Sequence, residues 1–342
     1  MGNRHAGTGS RNLFPITALA AALMGTLWAP LWPQSQTAQP TAAQSSASRA
    51  SNPDWQTAAG GKMSFDVASV KQDTAAPSPT TINSNIPLGP QEMFSPTGGL
   101  LSATNWPLLQ YVIFAYKLTP AQTQQMQSQL PKWASTDRFD IQARGAGNPT
   151  KDQFRLMMQD LLADRFKLAV HYEIKQQPVF ALVLDKPGKL GTKLQPHPED
   201  VPCSTAPPPP SAAPAPPPMT ASGLPESCGA LAVTRSPTAG RLRAGARNMP
   251  MDTIASMMSV PQLFGVDRPV LNKTGLTGRY DFSVEFTPQL NGPLPPGANF
   301  QPDESGPTFL QALKEQLGLK LEPETGPVEV IVVDHVDHPS EN

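Results

Sequence analysis

The strongest constraint on this chain is that it carries one ordered series of local signals twice. Residues 98–185 run Gly98-Gly-Leu-Leu-Ser-Ala, a helical stretch to Leu118, Arg138-Phe-Asp-Ile, a second helix to Phe166, Lys167-Leu-Ala-Val, then Pro178-Val-Phe-Ala-Leu-Val-Leu-Asp185. Residues 240–334 run Gly240-Arg-Leu-Arg-Ala, a helical stretch near Met251–Met258, Arg279-Tyr-Asp-Phe, a second helix to Leu317, Leu319-Lys-Leu, then Pro327-Val-Glu-Val-Ile-Val-Val-Asp334. A repeat in fixed order constrains architecture before chemistry. It predicts an α+β fold of two tandem β-α-β-α-β-β repeats, with helices packed on mainly antiparallel sheets.

Periodicity fills in the elements. Phe65–Val70 alternates like a strand, with Phe65 and Val67 on one face. Asn105 and Asn248 precede helical runs and read as helix caps. Thr150 caps a helix whose stripe is Phe154, Met157, Met158, Leu161 and Leu162. Lys167–Ile174 and Val179–Leu184 read as a hairpin joined by Lys175-Gln-Gln-Pro178. Leu319–Leu321 and Val328–Val333 read as its counterpart, after a helix that Gly318 ends.

The rest of the chain sets address and organisation. Arg4, His5 and Arg11 precede an apolar run over residues 13–32, so residues 1–32 read as an export signal or an uncleaved N-terminal anchor. Residues 33–62, rich in Ala, Ser, Thr and Gln, read as a disordered stalk. The first repeat spans 63–185, a Pro-rich linker 186–237, and the second repeat 238–342. The 41 prolines cluster in linkers, Pro207–Pro210 among them. Cys203 and Cys228 flank that segment and are the only cysteines. In an oxidising compartment such a pair forms a disulfide, closing a loop of about 25 residues and stabilising by about 3 kcal/mol.

Chemistry is sparse. A net charge of −1 gives no field that would draw the chain to nucleic acid. Asp334-His-Val-Asp-His338 is the densest ligand-like run. On a continuing strand Asp334 and His338 share one face and His335 and Asp337 the other, so neither face offers three metal ligands. His171 reads as a surface or satisfied histidine. Arg138 and Asp140, repeated as Arg279 and Asp281, flank an inward Phe139 or Tyr280 and suit a structural ion pair or turn–strand lock. No nucleophile elbow, zinc-protease helix, phosphate loop or dinucleotide fingerprint occurs, and no cofactor is expected.

Several phrases carry a family resemblance: Phe65-Asp-Val-Ala-Ser-Val-Lys71, Asp137-Arg-Phe-Asp-Ile141, Leu161–Leu168, Asp267-Arg-Pro-Val270, Thr274–Phe282, Leu313–Leu321 and His338-Pro-Ser-Glu-Asn342. Over residues 63–342 they resemble the soil-associated acidobacterial protein family, a domain of unknown function found in soil Acidobacteria. The resemblance implies an exported protein and, in some members, fusion behind a membrane-bound sensor peptidase. Asn248-Met-Pro-Met-Asp-Thr-Ile with Val270–Tyr280 also resembles the short N-terminal domain of secretins and TonB-dependent receptors, which implies a contact module. The expectation is therefore a non-enzymatic, periplasmic or extracellular interaction module with an envelope protein partner. The alternatives are a carboxylate-dependent envelope hydrolase and an accessory or sensory domain for a membrane peptidase.

Overall fold

In the computed structural model, which describes residues 48–76, 78, 80–201, 218–220, 222–289 and 300–339, β1 (Ser48–Arg49) and α1 (Asp54–Ala58) come first. β2 (Val67–Asp73), β3 (Asn83–Ser84) and β4 (Leu100–Pro107) follow. α2 (Leu108–Tyr116), α3 (Pro120–Gln129) and α4 (Trp133–Thr136) lead to β5 (Arg138–Arg144), and α5 (Lys151–Arg165) leads to β6 (Ala169–Leu184). The second half supplies β7 (Leu194–Pro196), β8 (Leu231–Arg235), β9 (Leu242–Pro250), α6 (Met251–Met257), α7 (Pro261–Phe264), β10 (Val270–Asn272) and β11 (Arg279–Phe286). α8 (Phe309–Ala312) continues as a π-helical turn, Leu313–Leu317, into β12 (Leu319–His335). The result is a mixed α+β fold of three mostly antiparallel sheets with helices against them.

Two of the sheets share an order, β2-β5-β4-β3 and β7-β11-β9-β8. They also share a register break. β4 pairs Ala103 with Ile141 and Trp106 with Phe139; β9 pairs Ala246 with Phe282 and Met249 with Tyr280. The expected linker 186–237 therefore contributes β7 and β8 to the second sheet. Within the expected stalk, residues 48–62 carry β1, which pairs with β6, and α1, whose Gln56 is buried. Val67 does not share a face with Phe65 in a strand. Phe65 precedes β2 and packs near Phe154, whereas Val67 is 65% exposed because Ala68 and Val70 take the inward positions.

The third sheet replaces both expected hairpins. β6 and β12 each run on without a turn and pair antiparallel along nearly their whole length, from Leu319 with Leu184 to Val333 with Val170. Lys175-Gln-Gln-Pro178 holds no Gly or Asn to supply the positive φ that a tight hairpin turn demands. Pro178 and Pro327 remain compatible with a strand at an outer edge. The C=O of Ile331 and N–H of Val333 point away from β6, so the alternating positions Glu329, Pro327 and Pro323 face the same way. Proline there loses no ladder bond and blunts the edge.

Because the two strands cross, each hydrophobic core holds a residue from the other half. Ile331 joins Tyr111, Phe114, Phe139, Phe154 and Phe166 in the first core. Leu182 joins Phe264, Phe282, Phe286, Phe309 and Leu313 in the second. Full burial of each such side chain stabilises by about 1.5–3 kcal/mol, so the crossing is held from both ends. Among the described residues no helix is long and apolar enough to cross a membrane; the apolar run 13–32 lies outside them.

Candidate functional site

Where the halves meet, a cleft of about 600 Å³ opens between the end of α2, the start of α3 and α6. Its floor is the face of the β6–β12 ladder carrying Tyr172, Glu329 and Ile331, and Trp55 of α1 closes one side. Ile113, Tyr116 and Met257 supply further apolar wall, and Pro90 and Gln91 form the rim. α3 stands at its edge because Thr119 and Gln122 form a reciprocal capping box with Pro120 at the first turn. The glutamines of α3 then take the outer edge of β12. Gln129 donates to the Ile331 C=O at 2.9 Å and accepts from the Val333 N–H at 3.0 Å, and Gln122 donates to the Glu329 C=O at 3.3 Å.

The rim is fastened by buried cations. Arg155 is fully buried, pairs with Asp152, and donates to the carbonyls of Gly89, Pro90 and Gln91 at 2.9–3.2 Å. Lys151 donates to the carbonyls of Gln91 and Met93 at 2.7 and 3.1 Å. Burial, then the neighbouring Arg155, lowers its ammonium pKa to about 7. Lys117 pairs with Glu92 and lies 3.7 Å from Asp152, with its ammonium 5.7 Å from the centre of the Trp55 ring.

Inside the cleft the charge balance differs. The Glu329 carboxyl is pushed above its ordinary value, first by burial and then by Asp54. Burial raises the Tyr172 phenol, with Tyr116 and Glu329 adding to it, and Gln56 Nε2 donates to that phenol oxygen at 2.9 Å. Past Gln122 smaller adjoining cavities, one of which shares Gln122 and Glu329 with the cleft, form a groove over Gln125, Gln177 and Ser259. Gln125 Oε1, Gln177 Nε2 and Ser259 Oγ are buried there without a hydrogen-bond partner among the described residues.

The repeated Arg-x-Asp groups act elsewhere, at the register breaks. Asn105 and Asn248 are not helix caps, since Pro107 and Pro250 occupy those positions. Both asparagines take positive φ, 60° and 52°, inside their strands. The Asn105 N–H donates to Asp140 Oδ1 at 2.9 Å, and Arg138 donates to the Asn105 C=O at 3.2 Å. The Asn248 N–H donates to Asp281 Oδ1 at 2.8 Å, and Arg279 Nε donates to the Asn248 C=O at 2.9 Å. The left-handed backbone costs about 1–2 kcal/mol, less for Asn, and charge-assisted bonds worth about 1.5–3 kcal/mol offset it. The geometry is a lock between strand and turn; Arg and Asp meet through the asparagine peptide.

The histidine-rich end is dispersed. β12 stops at His335, so the run does not continue as a strand. Asp334 contacts His171 Nδ1 at 2.9 Å, and Glu173 contacts His171 Nε2 at 3.2 Å; Asp334 first and Glu173 second raise that histidine's pKa. His335 pairs with Asp337 at 2.9 Å, while His338 reaches Asp137 at 3.2 Å and stacks 4.1 Å from Trp133. Among the described residues no group of three or more His, Cys, Asp or Glu could hold a metal ion. Cys228 is buried and is not a free thiol; Cys203 lies outside the described residues.

Sequence reasoning missed Trp55, Glu329 and all of α3. α3 has no apolar stripe, since only Met126 is buried, but Thr119-Pro-Ala-Gln122 was a readable start signal. Comparison with curated proteins and with solved structures gives no match. Residues 109–336, from α2 to just beyond β12, match the family model described as "Protein of unknown function (DUF3738)". That match covers two thirds of the chain and leaves out β1–β4 and α1, so the chain belongs to the DUF3738 family.

Proposed function

We propose that this chain is an exported, non-enzymatic binding module of the cell envelope that holds a protein partner in the cleft between its halves. The observation that carries the reading is the cleft itself, concave and largely apolar, with aromatic walls and a few polar groups. Its walls come from α1, α2, α3, α6 and the crossed ladder, so it exists only in the assembled fold. The halves are two tandem copies of one α+β unit, a reading supported by the matching sheet orders, register breaks and Asn-x-Pro strand ends. The likenesses to the soil-associated acidobacterial family and to the short N-terminal contact domain support the same address and role. A Cys203–Cys228 disulfide suits that address and agrees with the absence of a free thiol at Cys228.

A photo-crosslinking residue placed at Met257, in the cleft, tests this against one at Gln142, exposed on β5. Envelope extract is expected to give one or two discrete adducts from position 257 and none from 142. Equal adducts from both positions would overturn the cleft as the contact surface.

One observation favours a second reading. Burial first and the neighbouring Asp54 second raise the carboxyl of Glu329, which lines the cleft. A carboxyl raised by burial, with a second acid near it, is the pattern of a general acid in glycan hydrolysis. Release of soluble fragments from purified cell-wall glycan, lost in Glu329→Gln, would put the hydrolase first.

A further inference from the structure

Glu329 is the feature of the cleft that a simple apolar pocket does not explain. Its carboxyl sits on the ladder floor with Tyr172 and Ile331, one wall away from Trp55 and Tyr116. The forces on it are burial and Asp54, both of which oppose its charge, and no cation among the described residues answers them. Lys117, the nearest cleft lysine, is taken by Glu92 and Asp152. A half-buried anion facing aromatic rings is the arrangement that receives an ammonium group, because the ring faces and the carboxylate attract the same cation. Trp55 already carries the Lys117 ammonium near its ring, which shows that the ring accepts such a partner. The adjoining groove answers a different need. Gln125 Oε1 offers an acceptor, Gln177 Nε2 a donor and the Ser259 hydroxyl either role, all buried and unpartnered. Unmet neutral donors and acceptors beside an apolar cleft suit the amide backbone of an extended chain.

We infer that the cleft receives a lysine side chain of a partner polypeptide, its ammonium at Glu329 and its backbone along the Gln125–Gln177–Ser259 groove. This rests on the binding-module reading above and names the chemistry of its partner. A bound ammonium favours the ionised carboxylate, so protonation of Glu329 competes with binding and affinity falls as pH drops through the Glu329 titration.

Calorimetric titration of the full chain with three probes tests this: a blocked pentapeptide Gly-Gly-Lys-Gly-Gly, the same peptide with norleucine for lysine, and free n-butylammonium. The lysine peptide is expected to bind about tenfold tighter than the norleucine peptide. That preference should shrink from pH 7 to pH 4.5 and vanish in Glu329→Gln, whose near-isosteric amide keeps the fold, as an unchanged melting temperature would verify. Trp55→Ala should weaken the lysine peptide, and butylammonium should bind more weakly than either peptide. Equal binding of lysine and norleucine peptides overturns ammonium recognition while leaving the cleft a binding site. Butylammonium binding as tightly as the lysine peptide overturns the polypeptide as the source of the ammonium. Absence of binding by all three, together with no adduct from position 257, overturns both readings.

Discussion

The helices after two of the three Thr-x-x-Gln capping boxes, those at Thr150 and Thr308, invite comparison. Thr150 and Gln153 start a helix of 15 residues, and Thr308 and Gln311 start one of 4 that ends through a π-helical turn of 5. One residue after the cap stands Lys151 in the first half and Phe309 in the second; five after it stand Arg155 and Leu313. All four are buried. The second half uses those positions to fill its core, with Phe309 4.3 Å from Phe264 between ring centres. The first half uses them to hold the loop at Gly89–Met93, which rims the cleft. Two sheets of like strand order thus carry helices put to different use: one is packed for stability, and the other spends buried charge on shaping the cleft rim.

Breaking the charged arrangement gives the largest expected effect. Arg155→Ala leaves the Gly89 and Pro90 carbonyls without a donor and Asp152 with only Lys117 at 3.7 Å, and should lower stability by about 3–5 kcal/mol in urea unfolding. Leu313→Ala should cost about 2–5 kcal/mol. The two separate by hydrogen exchange: only the Arg155 variant should lose protection over residues 89–94. Arg155→Leu, which places the second half's leucine there, refills the volume but leaves the Gly89 and Pro90 carbonyls without a donor, so it should remain destabilised.

Lys151 gives the next effect, and its sign follows from linkage. With a pKa near 7 when folded and an ordinary value of 10.5, the unfolded chain holds a proton in that window that the native protein lacks. Stability should therefore rise with pH from about 7 to about 10.5, by at most about 1.4 kcal/mol per pH unit. Lys151→Met should flatten that rise in a urea series across the window; Phe309, its counterpart, contributes no such slope.

The locks at the register breaks sharpen the comparison further. Asp281 also holds His197 Nδ1 at 2.7 Å, whereas Asp140 lies beside another acid, Asp73, which Asn105 Nδ2 contacts at 2.8 Å. Asp281→Ala should accordingly cost about 1–3 kcal/mol, and Asp140→Ala less, by thermal melts of matched variants. The smallest effect concerns the ladder edges. β10 covers β6 by main-chain bonds, Phe180 N–H to Pro269 C=O at 2.9 Å, while Gln129 does the same for β12 by side chain alone. Gln129→Ala should cost about 1 kcal/mol and raise the exchange rate of the Val333 amide.

Local signals were legible where one segment decides the outcome. The Thr150 cap, the Gly318 stop and the strand Arg279–Phe286 stand where the local signals put them. The Asn-x-Pro ends were misread as caps because a capping asparagine and a left-handed bulge asparagine look alike without the strand that carries the aspartate. α3 escaped because its glutamines satisfy a strand edge, a role with no apolar period. Trp55 was lost inside a stretch whose composition reads as disordered, and Glu329 is one acid among alternating valines until the cleft forms over it.

By itself the sequence determined the cap at Thr150, the stop at Gly318 and the spacing of the paired Arg-x-Asp groups, since each depends on residues a few positions apart. Tertiary structure alone decided that β6 and β12 pair with each other across the halves. A strand satisfies the same backbone bonds in a hairpin or with a distant partner, and the choice falls to which side chains the two cores can bury. The cleft follows from that choice, because its floor is the crossed ladder and its walls come from segments that meet only once the crossing is made.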